Sequence, residues 1–279
     1  MVRLGDRDSA GAMLERERHR LILKLVEERS VISVGDLVEL LGASEATVRR
    51  DINAMSERGE IKRVRGGAEA LRPKHRTHLA GVPFALSRDV CVPQKRAIAR
   101  AAAALIGPGE SLVINGGTTT LRLVEHLRDA DLDILTNSFA VAAELLSTSN
   151  NRVTVPGGTI YRELNLILSP FANDAIAHFS ATTMFTGCYG VSGFGLMEND
   201  PFYVQTGMRL LERSERLVVM ADSRKLRQRS SMIVAGLDRV SVLITDSGAT
   251  EEELEMLRRA DVEIVVAEVT EADQLAQVA

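Results

Sequence analysis

Two stretches of the chain carry residue types whose spacing can do chemistry. In Val113-Ile114-Asn115-Gly116-Gly117-Thr118-Thr119-Thr120-Leu121, an apolar run meets two glycines and three threonines before a helical pattern begins. Glycines let a ligand approach the backbone, free amides at a helix start attract an anion, and threonine hydroxyls add donors. That chemistry is phosphate binding. A tight strand-to-helix turn capped by Thr has the same composition, so both readings stand. Three further turns follow apolar runs: Thr136-Asn137-Ser138, Pro156-Gly157-Gly158 and Ala221-Asp222-Ser223-Arg224-Lys225. Lys225 offers a phosphate its counter-charge, and Asp222 and Asn137 can exchange hydrogen bonds with sugar hydroxyls. Each is equally a polar loop residue or a helix cap. Ligands of open parallel α/β sheets sit outside the carboxyl ends of the strands, where such turns can share one crevice.

The second stretch is Ser44-Glu45-Ala46-Thr47-Val48-Arg49-Arg50-Asp51-Ile52-Asn53. With Thr47 at 0° and about 100° per residue, Val48, Ile52 and Met55 fall at about 100°, 140° and 80°, one narrow stripe. The opposite face carries Thr47, Arg50 and Asn53, with Arg49 on its flank. A buried back and an outer face of small donors, Arg and Asn suit a helix lying in a major groove. Ser44 at the helix start can cap and contact a phosphate. The basic run Lys62-Arg63-Val64-Arg65 would neutralise backbone phosphate and supply affinity rather than sequence choice. A three-helix protein-interaction module with a solvated arginine face has the same periodicity.

These residues need elements to position them. Residues 1–13 are polar and without periodicity, and read as a loose tail. Leu14, Leu21, Ile22, Leu25 and Val26 space a first helix over Met13–Glu28. Ser33 caps a second, carrying Val34, Leu37, Val38 and Leu41 and closed by Gly42. Ser44 caps the third, closed by Gly59. Two short segments flanking Gly66-Gly67 read as a hairpin whose two-residue turn needs φ > 0 at both positions. Residues 14–70 thus form one module.

Pro73, Pro83, Pro93 and Gly81 mark 71–93 as a linker. His75 and His78 lie within it, without the further ligands that a metal needs. In 94–279 short apolar runs alternate with helical patterns. Strands are expected at Leu112–Ile114, Asp133–Leu135, Arg152–Val155, Thr183–Cys188, Leu217–Ala221, Val242–Thr245 and Glu263–Val266. Helices are expected at Lys95–Ile106, Thr118–Arg128, Phe139–Leu146, Pro201–Glu212 and Thr250–Ala260. The alternation predicts an α/β domain with a largely parallel sheet.

Charge divides along the same boundary. The 279 residues carry a net charge of −4, yet residues 1–76 hold 16 basic and 13 acidic side chains, and the remainder 18 and 25. A basic module is joined to an acidic body, and local charge decides whether phosphate is attracted. Two cysteines, Cys91 and Cys188, cannot build a disulfide framework or a four-cysteine zinc site. No apolar run is long enough to span a membrane and the N-terminus has no apolar signal core, so a cytoplasmic protein is expected.

The segment from Val31 to Ala70 resembles the N-terminal winged helix of the DeoR family of bacterial transcription regulators. The likeness rests on Ser44-x-x-Thr47-x-Arg49-Arg50-Asp51 and on the basic wing Arg63-Val64-Arg65 ending in Gly66-Gly67. Arg65 departs from the His that most members carry. The ordered landmarks KRAIARAAAALI, NGGTTTL, LTNSFAVAAEL, PGG and MADSRK are similar to the effector domain of the same family. That resemblance implies a Rossmann-like α/β fold akin to ribose-5-phosphate isomerase and CoA-transferases, sensing sugar phosphates or related metabolites. It places Lys95, Gly117, Thr118, Thr119, Asn137, Gly158, Asp222 and Lys225 on matching landmarks, and Asn115 where Asp is common. Cys188-Tyr189-Gly190-Val191 and Met197-Glu198-Asn199-Asp200-Pro201 point to a different effector, with polyol phosphates open.

The resemblance therefore implies a ligand-controlled regulator, a homodimer or homotetramer on double-stranded operator DNA, with no cofactor. The alternative is a sugar-phosphate isomerase or transferase with a fused interaction module. Isomerisation needs a positioned carboxylate base and CoA transfer a nucleophilic Glu. No Asp or Glu occurs from Ala175 to Met197, which favours binding without turnover.

Overall fold

The computed structural model describes residues 14–29, 31–71 and 84–275. The expected tail, His75, His78 and most of the expected linker lie outside those residues. The chain divides into two compact units, Met1–His78 and Leu79–Ala279.

The first unit is built from α1 (Glu15–Arg29), β1 (Val31–Ser33), α2 (Val34–Leu41), α3 (Glu45–Glu57), β2 (Lys62–Val64) and β3 (Gly67–Glu69). Ser33 starts α2 with a capping box: its Oγ accepts the Asp36 N–H at 3.1 Å, and the Asp36 carboxylate accepts the Ser33 N–H. Gly42 ends α2 in the left-handed region. The apolar stripes close one core in which Ile22, Val26, Leu37, Val48 and Met55 are fully buried.

The hairpin is the expected wing, with two differences. Its turn is Arg65-Gly66, since Val64 pairs with Gly67, and only Gly66 has positive φ. Gly67 instead sits in β3, where a Cβ would lie 2.1 Å from the Ile32 carbonyl oxygen. That close approach reflects a strand the sequence pattern missed: β1 pairs with β3, giving the order β1-β3-β2.

In the second unit the residues expected in the linker are partly helical: α4 spans Phe84–Ser87 and α5 Val92–Ala103. Pro93 stands in the first turn of α5, where its missing N–H costs no hydrogen bond, so it opens a helix rather than closing a linker. Then follow β4 (Ser111–Ile114), α6 (Thr118–Leu123), β5 (Asp133–Thr136), α7 (Phe139–Thr148), β6 (Arg152–Thr154), β7 (Thr159–Tyr161), β8 (Leu166–Leu168), β9 (Ala181–Thr186), β10 (Gly190–Ser192), β11 (Gly195–Glu198), α8 (Pro201–Leu211), β12 (Ser214–Met220), β13 (Met232–Ala235), β14 (Val242–Asp246), α9 (Glu251–Arg258), β15 (Glu263–Ala267) and α10 (Glu271–Leu275).

Seven strands form one wholly parallel sheet in the order β15-β14-β12-β9-β4-β5-β6. Side chains alternate between its faces. Leu112 and Ile114 join a core with Ile98 of α5, Leu123 of α6 and Val141 of α7, while Val113 joins another with Leu210 of α8 and Leu257 of α9. Both faces are covered, as a parallel sheet requires. Chain order runs outward from β4 to β5 and β6, then returns to β9 and continues the other way. The reversal makes the β4/β9 boundary a topological switch point. Outside this sheet, β7 and β8 form an antiparallel hairpin, and β10, β11 and β13 a small antiparallel sheet.

Candidate functional site

In the first unit α3 presents the expected outer face. Val48, Ile52 and Met55 are buried, whereas Arg49 and Arg50 are exposed and Thr47 and Asn53 half-buried. Ser44 caps the helix by accepting the Thr47 N–H at 3.2 Å, and its Oγ lies 2.8 Å from the Thr47 hydroxyl. Arg49 is held by Glu45 one turn back, at 2.6 and 2.9 Å. Arg50 makes no ion pair among the described residues. On the wing, Lys62 pairs with Glu69 across the hairpin at 2.9 Å, while Arg63 and Arg65 are exposed. Arg49, Asn53, Arg63, Arg65, Gly66 and Gly67 line an open cleft of about 470 Å³ between α3 and the wing. Three arginines line this cleft together with Val34, Ile52 and Val64, an arrangement able to receive a phosphate-bearing strand.

Asp51 does not belong to that face. It is 3% exposed and binds back to α1, accepting from Arg18 Nη2 at 3.1 Å and lying 3.0 Å from His19 Nε2. Burial by itself would raise this carboxyl, but the hydrogen bonds from Arg18 and His19 outweigh it and hold it below its ordinary value. The motif thus contributes two outward arginines and one inward anchor. Position was the available signal: Asp51 falls at about 40° on the helical wheel, beside the apolar stripe.

In the second unit Asn115, Gly116 and Asn137 of the expected residues meet at the switch point. Asn115, one residue beyond β4, donates through Nδ2 to Thr186 Oγ1 at the end of β9, at 2.9 Å. The Gly116 N–H donates to both Asn115 Oδ1 (2.9 Å) and Asn137 Oδ1 (2.8 Å), joining the turns after β4 and β5. Asn137 is completely buried, and its Nδ2 has no hydrogen-bond partner among the described residues. A buried donor left empty is costly unless something fills it. A Cβ at Gly116 would meet Leu166 of β8 at 2.0 Å, so the small hairpin packs directly over this turn.

The threonines divide. Thr120 is internal, donating to the Asn115 and Gly117 carbonyls, Thr119 is buried, and Thr118 is half-exposed on the first turn. The helix expected over Thr118–Arg128 is not one continuous α-helix. A six-residue α-helix passes into a 3₁₀ turn, so its dipole is small and positive charge must come from side chains. Gly158 lies apart, exposed at the foot of the β7–β8 hairpin, where a Cβ would meet the Leu168 carbonyl.

The cations stand on the other side of the sheet centre. Lys95, 3% exposed on α5, donates to the Ser87 carbonyl at 2.5 Å. Burial pushes its ammonium down to about 8, with the Asp222 charge opposing the fall. Asp222, after β12, is nearly inaccessible and accepts from Arg224 Nε at 2.8 Å. Its carboxyl is raised by burial and lowered more by Arg224, remaining below its ordinary value. Lys225 donates to Gln228 Oε1 at 3.0 Å and lies 5.5 Å from the Tyr189 ring centroid. Sequence reasoning missed Thr186, Arg224 and the fixed placement of Glu198, whose carboxyl is coupled to Lys225. Asp246 also escaped it; this carboxylate binds Ser223 and the Gly248 N–H beside them. Among the described residues, no cluster of three or more His, Cys, Asp or Glu side chains could hold a metal ion.

An amphipathic reader helix with a wing, and a parallel sheet whose polar turns meet at a switch point, together define a DNA-binding regulator with a sensor domain. The DeoR-like helix-turn-helix domain matches residues 18–74, and the DeoR C terminal sensor domain matches residues 91–247. The chain belongs to the DeoR family of transcription regulators. It is 33% identical over 256 residues to the HTH-type transcriptional regulator UlaR of Shigella dysenteriae serotype 1 (strain Sd197), covering 91% of this chain and 99% of that one. UlaR of Escherichia coli (strain K12 / DH10B) matches with the same identity and coverage.

Solved structures match only in part. Ribose 5-phosphate isomerase A of Methanocaldococcus jannaschii aligns with a TM-score of 0.34 and 13% identity, over 47% of this chain and 52% of that one. A probable sor operon regulator from Shigella flexneri aligns with a TM-score of 0.36 and 8% identity, over 66% and 87%. Family membership decides between the two functions that the sequence left open: the protein is a transcription regulator, not an isomerase or transferase. No described helix is long and apolar enough to cross a membrane.

Proposed function

We propose that the protein represses a sugar or polyol catabolic operon and that a phosphorylated sugar-type effector, bound in the switch-point crevice, changes its affinity for operator DNA. The observation that carries this reading is Lys95. Among the described residues the Lys95 ammonium, 3% exposed, donates to a carbonyl and to no carboxylate, while the Asp222 charge that acts on it is itself bound to Arg224. Such a group is stabilised by an incoming anion. Lys225, the buried Asn137 amide and the Gly117-Thr118 turn supply the remaining donors for a phosphate and its hydroxylated body.

Reading an operator calls for more than one winged helix, so the active species is a homodimer or homotetramer whose half-sites lie about 34 Å apart or multiples of it. Effector binding acts by favouring one arrangement of subunits. Ser44, Thr47, Arg50 and Asn53 read or position the duplex from α3, while Arg49, Lys62, Arg63, Arg65 and the Gly66-Gly67 backbone hold its phosphates.

A thermal-shift screen of phosphorylated sugars and polyols, followed by gel shifts at fixed salt, tests the reading. A ligand that raises the melting temperature of the wild type should also move the operator isotherm. Lys225→Ala should retain operator binding and lose the response. Loss of both with an unchanged melting temperature would contradict the division of labour.

A further inference from the structure

The cations on α3 and the wing are not equally available. Arg50, Arg63 and Arg65 make no ion pair among the described residues. Arg49 and Lys62 are each met by a carboxylate of the same surface. Glu45 Oε1 accepts from Arg49 Nε at 2.9 Å and from Arg49 Nη2 at 2.6 Å. Glu69 Oε2 lies 2.9 Å from Lys62 Nζ. The backbone sets both pairs: Glu45 and Arg49 stand one turn apart on α3, and Lys62 faces Glu69 in the β2–β3 register. The four side chains are 36% to 64% exposed. Ion pairs so exposed add little to a fold. On a face that meets a polyanion, moreover, a carboxylate is a cost. It repels phosphate and occupies the donors that phosphate would use. Arg49 is the more affected. A guanidinium holds phosphate best along an edge, through two parallel N–H groups. The Nε–Nη2 edge of Arg49 is spent on Glu45, although this residue lines the cleft shared with Arg63 and Arg65.

We propose that Glu45 and Glu69 hold down sequence-independent DNA binding by keeping Arg49 and Lys62 on carboxylates in the free protein. An arbitrary duplex gains directly only from the three open arginines. Before it gains from either of the other two cations, a phosphate must displace a carboxylate, and that displacement subtracts from affinity. The subtraction falls on every duplex, and only an operator adds base contacts to outweigh it. The inference rests on the reading of α3 and the wing as the DNA face, and adds which of its cations are masked. Glu45 acts through Arg49 and Glu69 through Lys62, so both are positioning residues.

The test is fluorescence anisotropy of the full-length protein with a labelled mixed-sequence duplex, over about 50 to 200 mM salt. Unmasking one cation frees about one phosphate contact. Glu45→Gln should therefore tighten binding about threefold or more near 0.1 M salt and steepen the slope of log K against log salt by about 1. Glu69→Gln should act in the same direction. The gain must run through the partner: on an Arg49→Ala background, Glu45→Gln should change affinity and slope by less than half as much. A Glu45→Gln variant that melts like the wild type and binds with unchanged affinity and slope overturns the inference. So does an equal gain on the Arg49→Ala background, which would make Glu45 a diffuse repelling charge rather than a mask. If Glu45→Gln melts lower than the wild type, Glu69→Gln on the wild-type and Lys62→Ala backgrounds decides by the same two outcomes. If the double variant Glu45→Gln, Arg49→Ala binds as tightly as Glu45→Gln alone, Arg49 does not meet DNA, and the reading of the face fails at that position. A weaker double variant with no gain in Glu45→Gln leaves the face standing and removes only the mask.

Discussion

The two units handle charge in opposite ways. In the DNA-binding unit the cations proposed to meet DNA, Arg50, Arg63 and Arg65, are exposed, and the buried Asp51 is paired with Arg18 and His19. In the sensor the groups proposed to hold the effector are themselves buried: Lys95 at 3%, Asp222 at 2% and Asn137 at 0% exposure. A duplex is a large partner that comes to a surface, so its contacts can be built from solvated side chains with little cost to the fold. A small effector must be enclosed, so its contacts are charges already taken out of water. Function and stability are therefore separable in the first unit and opposed in the second.

The sharpest way to break this comparison is Lys95→Met. A lysine whose pKa falls from 10.5 to about 8 on folding destabilises the neutral-pH fold by up to about 3 kcal/mol. Removing it should raise the melting temperature at pH 7 while abolishing any effector-induced shift. The sign with pH is fixed: below about 8 both folded and unfolded lysine are protonated and the full penalty applies, and it fades as pH rises toward 10.5. The advantage of Lys95→Met should shrink over that range. A lysine whose replacement lowers stability at every pH would mean that the site is already neutralised.

Next in size is Asp51→Asn, which should cost about 1–3 kcal/mol in chemical unfolding by leaving Arg18 without its carboxylate. Because this carboxyl is held below its ordinary value near 3.8, its contribution is complete above that pH and is lost as pH falls further. Arg50→Ala should leave unfolding unchanged and weaken operator binding by about 1–3 kcal/mol, read by gel shift at fixed salt. The smallest effect is expected for Arg63→Ala. The slope of log K against log salt should drop by about 1, uniformly across operator sequences. An Arg63 variant that changed sequence preference would move the wing from positioning to readout.

Much of this was legible in the residue pattern because both units obey simple periods. The 3.6-residue stripe of Val48, Ile52 and Met55 fixes which side of α3 is buried, and the apolar runs at 112–114, 133–135 and 242–245 mark sheet strands. The turns after them fall at the sheet's carboxyl end by topology alone, which is why Asn115, Asn137, Asp222 and Lys225 could be named together. What escaped was tertiary. Val31–Ser33 is three residues long, too short to show alternation, and becomes a strand only because β3 is there to pair with it. The same absent partner misplaced the wing turn by one residue. Glu198 sits on a three-stranded sheet of three- and four-residue strands whose pairing brings residues 195–198 to 232–235, a contact no local pattern announces. The partners of Asp51, Arg18 and His19 of α1, are likewise tertiary contacts that the helical wheel alone does not name.

The β1-β3-β2 order has a consequence for how the wing moves. A free two-stranded hairpin frays within its own length, and its amides exchange with solvent independently of the rest of a domain. Here β3 is the central strand, hydrogen-bonded on one side to β2 and on the other to the segment joining α1 and α2. The amides of Gly67 to Glu69 should therefore resist deuterium exchange until the whole helical unit opens, while the Arg65-Gly66 tip exchanges freely. The tip is a loose end on a fixed stem, able to follow the curvature of a groove without loosening the helix beside it.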